Sequence, residues 1–344
     1  MSTTRITHPP IVGELEAIFE TLPDAELLAQ LRGPRQRGRP GYDPKVLWRC
    51  YVAYYALGIE SVSALIRLLR NNPYIARACG ITGPGQMPSQ PTFSRFGARL
   101  AKRKYAVTLR DVQRSLTRRL YATLPSFGKT VAIDSTHMKG WSNGAKKGKK
   151  RTGAVRRQKS KIGKVSDPDA GWTVKANTQG RNQYTWGYKA HILCDADYEL
   201  PIVVDVSAGN VADVRRASPL LYQARHTYSR FVPDYVLCDA GYSSDRLRRM
   251  IKRQFRATPL IDPHPLHKKA IAWKESIPEW KAIYCQRTAI ERLNGRLKAF
   301  FKLDAIRVRG RMKVQVHATM AILTLQARAL AFPERMRECV RAAA

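Results

Sequence analysis

Acidic residues are scarce in this chain of 344 residues. It has 26 Asp and Glu against 61 Lys and Arg, which leaves a formal net charge of +35 at pH 7. A charge this large repels itself and is tolerated when a polyanion neutralises the surface, so it favours nucleic acid over a neutral or acidic partner. Composition alone still admits ribosomal proteins, polymerase accessories and nucleases.

Paired cysteines and long apolar runs are also missing. The six cysteines are scattered, with no CxxC pair and no Cys/His cluster of zinc spacing, so we expect buried, reduced thiols. The apolar stretches fall far short of the roughly 20 residues that a membrane span needs. The N-terminus, MSTTRITHPP, has no apolar signal core. We therefore expect a soluble, cytoplasmic protein with no membrane partner.

The first 125 residues show helical patterns. Apolar residues recur at helical intervals over 11–31, Asp43 followed by Pro44 opens a helix, and a further start at Ser89 precedes a basic stretch to about residue 123. Short helices with basic faces suit helix-turn-helix-like DNA contact, and a helical dimerisation module fits equally well. We predict an all-helical N-terminal domain over residues 1–125 for DNA binding or dimerisation.

From Lys129 onwards the pattern changes to strands. Short β-type runs separated by turn residues cover 130–134, 172–176, 188–195 and 201–207. Helix and strand then alternate, and helices over 282–300 and 312–330 close the chain. Hairpin-forming strands followed by alternating elements predict an α/β domain over 126–344, with a mixed sheet flanked by helices.

A dense basic segment interrupts the sheet pattern at residues 145–164. It holds seven Lys and three Arg and no acid. Charge of this density is typical of a solvated insertion, and it also gives the segment a role in contacting phosphates. The predicted DNA contacts here are Lys146, Lys147, Lys149, Lys150 and Arg151.

Asp134 and Asp239 occupy the same local context. Each follows an apolar run, VAI before Asp134 and VLC before Asp239, and each is predicted to be the last residue of its strand. Strand ends are where an α/β fold places its ligands. For either aspartate alone, an ordinary turn or cap role is equally good. Two such acids in so basic a chain favour a functional site.

A third acid, Glu291, follows from helical geometry. On one continuous helix, Tyr284, Arg287, Glu291 and Lys298 fall within an arc of roughly 60°. An apolar stripe that docks the helix on the sheet lies beside them. In isolation, Glu291 is better explained as part of exposed charge pairs on a surface helix. Because Asp134 and Asp239 are also present, Glu291 is a candidate for the same site.

Three carboxylates in a basic groove suit metal-dependent phosphoryl transfer. Mg²⁺ prefers carboxylate oxygens and keeps several waters, so a few protein ligands and a substrate phosphate complete its shell. Two such ions about 4 Å apart activate the attacking oxygen and stabilise the leaving one. We therefore predict that Asp134, Asp239 and Glu291 are catalytic metal ligands for two Mg²⁺ ions, with Mn²⁺ as a substitute.

The same residues carry a family resemblance. Tyr284, Arg287, Glu291 and Lys298 match Y-x2-R-x3-E-x6-K, the signature of DDE transposases of bacterial insertion-sequence families four and five. Upstream, the chain has the similar segments DSTHMKGW from Asp134, DPDAGW, GYKAHILCD, AGNVADV and, from Asp239, DAGYSS. Its N-terminal region, with GYDPKVLWRCYVAYYALGIESVSAL and QPTFSRF, resembles the helical N-terminal domain of that group.

The resemblance implies an RNase H-like catalytic fold acting on double-stranded DNA. The substrates would be the terminal inverted repeats of the chain's own element and a target DNA. The resemblance further implies that Asp134, Asp239 and Glu291 hold the metal, while Tyr284, Arg287 and Lys298 contact DNA near the cleaved end. Bringing two ends together implies a homodimer, and the work on DNA implies a nucleoid-associated protein.

The spacing of the three acids indicates a compact member of the group. Asp239 lies 105 residues after Asp134, and Glu291 lies 52 residues after Asp239. The second interval leaves no room for the large β-rich insertion of some relatives, so the chain resembles family five more closely. Two alternatives stay open, a transposase-derived DNA-binding protein without catalysis and an RNase H-like nuclease that cuts without joining strands.

Other polar residues near these motifs support weaker interpretations. Asn210 and Asp213 are consistent with a role in supporting the site. A turn at Asn210 that leads to a helix cap at Asp213 explains them equally well. We interpret Asp167 and Asp169 as turn residues and His191 as a packed histidine.

Overall fold

A computed structural model describes most of the chain. The described residues are 10–33, 41–144, 165–176, 182–263 and 268–334. The predicted basic segment falls outside them, and with it the predicted DNA contacts Lys146, Lys147, Lys149, Lys150 and Arg151.

The predicted helical character of the N-terminal region is confirmed for its described residues. The helices are α1 (Pro10–Thr21), α2 (Ala25–Arg32), α3 (Pro44–Ala56), α4 (Val62–Asn71), α5 (Pro73–Ala78), α6 (Gln90–Leu100) and α7 (Arg103–Thr123). The stretch predicted to be helical over 11–31 forms two helices, α1 and α2. The chain breaks at residues 22–24 because Pro23 has no N–H to continue a helix. The basic stretch after Ser89 likewise divides into α6 and α7.

Side-chain caps set where several of these helices begin. The Asp43 carboxylate accepts a hydrogen bond from the Lys45 N–H at 2.9 Å, as predicted for the start of α3. Ser61 accepts from the Ala64 N–H at the start of α4, and Asn72 from the Ile75 N–H at the start of α5. Each cap satisfies a donor that the first helical turn leaves unpaired.

A six-stranded mixed sheet follows. Its strands are β1 (Thr130–Lys139), β2 (Gly171–Ala176), β3 (Asn182–Asp195), β4 (Leu200–Ala208), β5 (Tyr235–Cys238) and β6 (Thr258–Ile261). β3 pairs antiparallel with β1 along one edge. β2 and β4 pair antiparallel with successive parts of β3, along its other edge. On the far side of β1, β5 and then β6 continue the sheet in parallel.

This topology is that of an RNase H-like fold. An antiparallel meander of β1, β3 and β4 is extended by two parallel strands, β5 and β6, beyond β1. The predicted fold class, a mixed sheet flanked by helices behind an all-helical N-terminal region, is confirmed.

Helices surround the sheet. They are α8 (Val214–Thr227), α9 (Asp245–Met250) with a π-helical turn after it, α10 (Lys268–Glu275), α11 (Trp280–Tyr284), α12 (Thr288–Ala299) and α13 (Arg311–Ala331). The predicted helix over 282–300 is wrong as a continuous element, because a 3₁₀ turn, Cys285–Arg287, separates α11 from α12.

Helix α13 joins the two parts of the chain. It packs against α1, α3, α6 and α7 on the N-terminal side and against β4 of the sheet. Gln326 of α13 donates to Thr117 Oγ1 of α7 at 2.8 Å and to the Pro201 carbonyl of β4 at 2.7 Å, so its buried amide is paired on both sides of this junction. The N-terminal helices and the sheet therefore share one core. The domain boundary at residue 125 stays a prediction.

Two further expectations concern the cysteines and membrane-spanning helices. Cys50, Cys79, Cys194 and Cys238 are buried free thiols, as predicted, whereas Cys285 is exposed, and Cys339 lies outside the described residues. Within the described part of the chain, no helix is long and apolar enough to cross a membrane.

Candidate active site

The sheet brings Asp134 and Asp239 side by side. β1 and β5 are parallel neighbours with Ile133 opposite Cys238, so the two aspartates that follow these residues are adjacent in space. Asp239 lies just after the end of β5, as predicted. The prediction that Asp134 ends its strand is wrong. β1 continues to Lys139 because β3 pairs with it up to Gly187.

Both aspartates are half-buried, and the pKa of each carboxyl is raised. Burial raises the pKa of Asp134 to about 6, and the negative charge of Asp239 adds to that rise. Burial also raises the pKa of Asp239, although its Oδ1 accepts the Gly241 N–H at 3.0 Å. A Cβ at position 241 would lie 3.1 Å from that same oxygen, so glycine permits the close turn. The pair is therefore a concentration of negative charge in a basic protein.

Glu291 lies apart from this pair. It is in the first turn of α12 with 54% of its side chain exposed, and its Oε1 accepts a hydrogen bond from Arg287 Nη2 at 2.8 Å. Across the described residues, no three His, Cys, Asp or Glu side chains form a group that could hold a metal ion. The structure thus gathers two of the three predicted metal ligands and leaves the third in an ion pair.

Arg287 connects the two sets of acids. While its guanidinium pairs with Glu291, its positive charge opposes the rise that burial causes in the pKa of both Asp134 and Asp239. One cation therefore interacts electrostatically with all three predicted ligands.

Tyr284 anchors this region to the sheet. Its hydroxyl donates to the Cys238 carbonyl at 3.2 Å, one residue before Asp239, and its ring stacks on Trp280 with centroids 5.5 Å apart. Burial raises the pKa of Tyr284 to about 12, so the hydroxyl keeps its proton near neutral pH. Lys298, the last residue of the predicted stripe, is half-buried in the final turn of α12.

Asn294 is a site residue that sequence reasoning missed. It is only 8% exposed, and its Nδ2 donates to Asp134 Oδ2 at 3.3 Å. Its Oδ1 is buried without a hydrogen-bond partner among the described residues. The signal was present, because Asn294 follows Glu291 by three residues and so shares its side of the helix. Nothing in the sequence alone showed that this side faces Asp134.

A second group of polar residues contains Lys189, which the sequence did not single out, together with Asp213 and His191. Lys189 is buried in β3, and its Nζ donates to Asp213 Oδ1 at 2.9 Å and to the Val211 carbonyl at 3.1 Å. Asp213 precedes α8 but makes no side-chain cap there, so the cap interpretation is wrong. His191, fully buried as expected, shares a 2.7 Å hydrogen bond between its Nε2 and Ser207 Oγ.

The oxygen atoms of Asp134 and Asp239 suit a hard divalent cation but form only part of a ligand set. Asp134 and Asp239 offer adjacent carboxylate oxygens, the ligand type that Mg²⁺ prefers. The Asn294 Oδ1 and the Tyr242 hydroxyl are buried polar atoms near them that lack partners in the described structure. A hydrated ion would neutralise the first pair and offer hydrogen bonds to the second. Glu291 is not part of this set in the structure, because its carboxylate is paired with Arg287.

The fold and the paired aspartates define the class of RNase H-like proteins. Within it, residues 125–326 match the model of the family described as Transposase DDE domain, so the chain belongs to that family. Residues 7–99 match a second model, described as Transposase domain (DUF772). The chain is therefore a DNA transposase, with the DDE motif and insertion-sequence origin that the resemblance implied.

Comparisons with individual proteins add little to the family assignment. Among curated proteins, none matches this chain. One solved structure, described as "Mos1 transposase paired-end complex with left transposon end", is similar at 11% sequence identity over 80% of this chain and 85% of that chain, with a TM-score of 0.22.

Proposed function

We propose that this transposase cleaves DNA at the terminal inverted repeats of its own insertion sequence and joins the cut strands to target DNA. The observation that carries the proposal is the adjacency of Asp134 and Asp239, with Asn294 of α12 hydrogen-bonded to Asp134. The pair of half-buried carboxylates with raised pKa values has little structural purpose of its own, because burying such charges costs free energy. Their strain is typical of a site that binds a cation.

Mg²⁺ is the proposed cofactor, as two ions, with Mn²⁺ as a substitute. Asp134 and Asp239 would hold it, and Glu291 would join them after its carboxylate separates from Arg287. When bound, the ions supply activation of the attacking oxygen and stabilisation of the leaving oxygen. Asn294 keeps the Asp134 carboxylate oriented by donating to one of its oxygens.

The proposed DNA contacts are spread over the segment from Tyr284 to Lys298 and over the basic segment at 145–164. Arg287, in the 3₁₀ turn before α12, is free to bind a phosphate once separated from Glu291, and Lys298 lies in the last turn of α12. Tyr284 is proposed as a neighbour of the cleaved end. Lys146, Lys147, Lys149, Lys150 and Arg151 would bind phosphates without reading sequence, as Lys and Arg side chains do.

A homodimer is the proposed working form on DNA. Transposition joins two ends of one element, and two copies of one active site handle two ends symmetrically. The homodimer and the target DNA follow from the reaction proposed.

The test is an end-cleavage assay. Purified protein is incubated with labelled duplex carrying the element's ends, in Mg²⁺ and in EDTA, and the products are sized. We expect cleavage and strand joining in Mg²⁺ only. Cleavage without joining would identify a nuclease, and binding without cleavage would identify a DNA-binding protein that has lost catalysis.

A further inference from the structure

A cavity of about 500 Å³ lies between the N-terminal helices and the end of β1. Its walls come from α3, α4 and α6, from Trp141, and from the segment before α13 together with the first turns of α13. None of the residues assigned to the active site lines it. Its volume is that of a pocket for a small molecule or a single group, since ligand pockets span about 300–1,000 Å³.

The lining is aromatic and cationic. Trp141 is 51% exposed, which is unusual for so large an apolar side chain, and Tyr51 and Tyr54 of α3 lie in the opposite wall. Arg307, Arg309 and Lys313 add three positive charges, and no acidic side chain among the described residues lines the cavity. The guanidinium of Arg307 lies over the Trp141 ring at 5.1 Å from its centroid.

The segment that carries these arginines is held in place. The Arg307 Nε donates to the Glu60 carbonyl at 2.9 Å, and the Arg309 Nε donates to the Trp141 carbonyl at 3.2 Å. The next residue, Gly310, donates its N–H to the buried Asp167 carboxylate at 3.1 Å, and Tyr188 donates to the same oxygen at 2.7 Å. The cavity wall is therefore built by specific hydrogen bonds.

We propose that this cavity, lined by Trp141, Tyr54, Arg307 and Arg309, binds one unpaired nucleotide of the DNA substrate. A duplex is too wide to enter, whereas a single base presents a flat face that stacks on an aromatic ring. The arginines and Lys313 suit the phosphate that accompanies the base. The inference rests on the proposed action on DNA and adds a second contact to it.

The position along β1 indicates where on the DNA this nucleotide lies. The part of β1 from Asp134 to Lys139 is about 17 Å long at roughly 3.3 Å per residue, and Trp141 follows two residues later. Duplex DNA rises about 3.4 Å per base pair. The pocket is thus about five base pairs or more from a phosphate held at Asp134.

The test compares three 30-base-pair duplexes of one sequence in EDTA, where cleavage does not occur. One is fully paired, one carries an extra unpaired dT at its centre, and one carries an extra abasic nucleotide there. The abasic duplex keeps the bend and phosphate of the bulge but lacks the base. We expect the wild-type chain to bind the dT bulge about tenfold more tightly than the other two, because a base stacked on an aromatic ring adds to the affinity. Fluorescence anisotropy gives the three values of Kd.

Variants assign the preference to the pocket. Trp141→Ala is expected to lose the tenfold preference while its Kd for the paired duplex stays within about twofold, which also shows that it has folded. Trp141→Phe, which keeps a ring, is expected to retain most of it. Tyr74→Ala, which removes an exposed aromatic side chain outside the cavity, is the matched control and keeps the full preference.

The outcomes separate this proposal from the proposed function. Equal binding of the dT and abasic bulges, or an unchanged preference in Trp141→Ala, overturns the nucleotide pocket while DNA binding stands. A wild-type chain that binds none of the three duplexes overturns both.

Discussion

The two halves of the active site are built in opposite ways. The sheet holds Asp134 and Asp239 side by side, half-buried, with burial raising the pKa of each. The helix α12 presents Glu291 at the surface, where Arg287 already balances its charge. In the sheet half, the carboxylates are half-buried and disfavoured as charges. In the helix half, the carboxylate is exposed and paired with Arg287.

The difference follows from what each element can impose. Backbone pairing fixes Ile133 opposite Cys238, so the backbones of the two aspartates that follow them stay close together. A side chain on an exposed helical turn is free to change rotamer and partner. Under the proposed function, the sheet half would hold the cation and Glu291 would be the ligand that changes partner.

The largest expected effects test whether both halves are needed for cleavage. Asp134→Asn and Glu291→Gln each remove one charge at nearly constant volume, and each should lower Mg²⁺-dependent cleavage by more than the roughly 100-fold seen when outer-shell partners are lost. DNA affinity should be unchanged or slightly higher, because a negative charge is gone. Initial cleavage rates and Kd values measure both. Should Glu291→Gln cut normally, the third ligand lies elsewhere.

A smaller effect is expected at the contact that joins the halves. Asn294→Ala removes the donor to Asp134 Oδ2 and should lower the cleavage rate about 10–100-fold, with more Mg²⁺ needed for half-maximal rate. The rate is measured across a Mg²⁺ titration. Gly295→Ala is the control on the same helix, because a Cβ there meets no atom within 4 Å and activity should stay at the wild-type level. A matching loss in both variants would mean that α12 is merely sensitive to substitution.

Substitutions in the two halves should change the free energy of unfolding in opposite directions. In EDTA at pH 7, Asp134→Asn should raise the free energy of unfolding by about 1–3 kcal/mol, because a pKa near 6 instead of 3.8 marks a disfavoured buried charge. Glu291→Gln loses an exposed ion pair and should lower it by less than about 1 kcal/mol. Urea unfolding measures both.

The pH dependence supplies the control for that stability test. The folded state binds the Asp134 proton more tightly than the unfolded state does. The contribution of Asp134 is therefore most favourable below about pH 4 and declines as pH rises to about 6. Asp134→Asn should lack this decline. Parallel curves for variant and wild type would refute the strain assigned to the sheet half.

The smallest effect concerns Tyr284. Tyr284→Phe removes the hydrogen bond to the Cys238 carbonyl and should cost about 0.5–1.5 kcal/mol of stability, with little change in DNA affinity. Urea unfolding and anisotropy measure the two. Weaker DNA binding at unchanged stability would instead favour the DNA contact that the family resemblance implies.

The sequence predicted the sheet half better than the helix half. Apolar runs before Asp134 and Asp239 are local signals, and local signals suffice once two strands are known to be parallel neighbours. The stripe from Tyr284 to Lys298 assumed one straight helix. The structure replaces part of it by the 3₁₀ turn Cys285–Arg287, where Tyr284 reaches the Cys238 carbonyl. Asn294 and the Lys189–Asp213 pair depend on tertiary packing, which periodicity does not encode.

Helix α13 imposes an order on the synthesis of this protein. Its buried side chains complete the packing of α1, α3, α7 and β4, yet the ribosome makes residues 311–331 after all of those elements. The apolar surfaces that α13 covers stay in contact with water or with each other until it emerges. Both parts of the core are therefore completed together, only after α13 has been made. A message cut before codon 311 would leave neither the helical region nor the sheet with a complete interior.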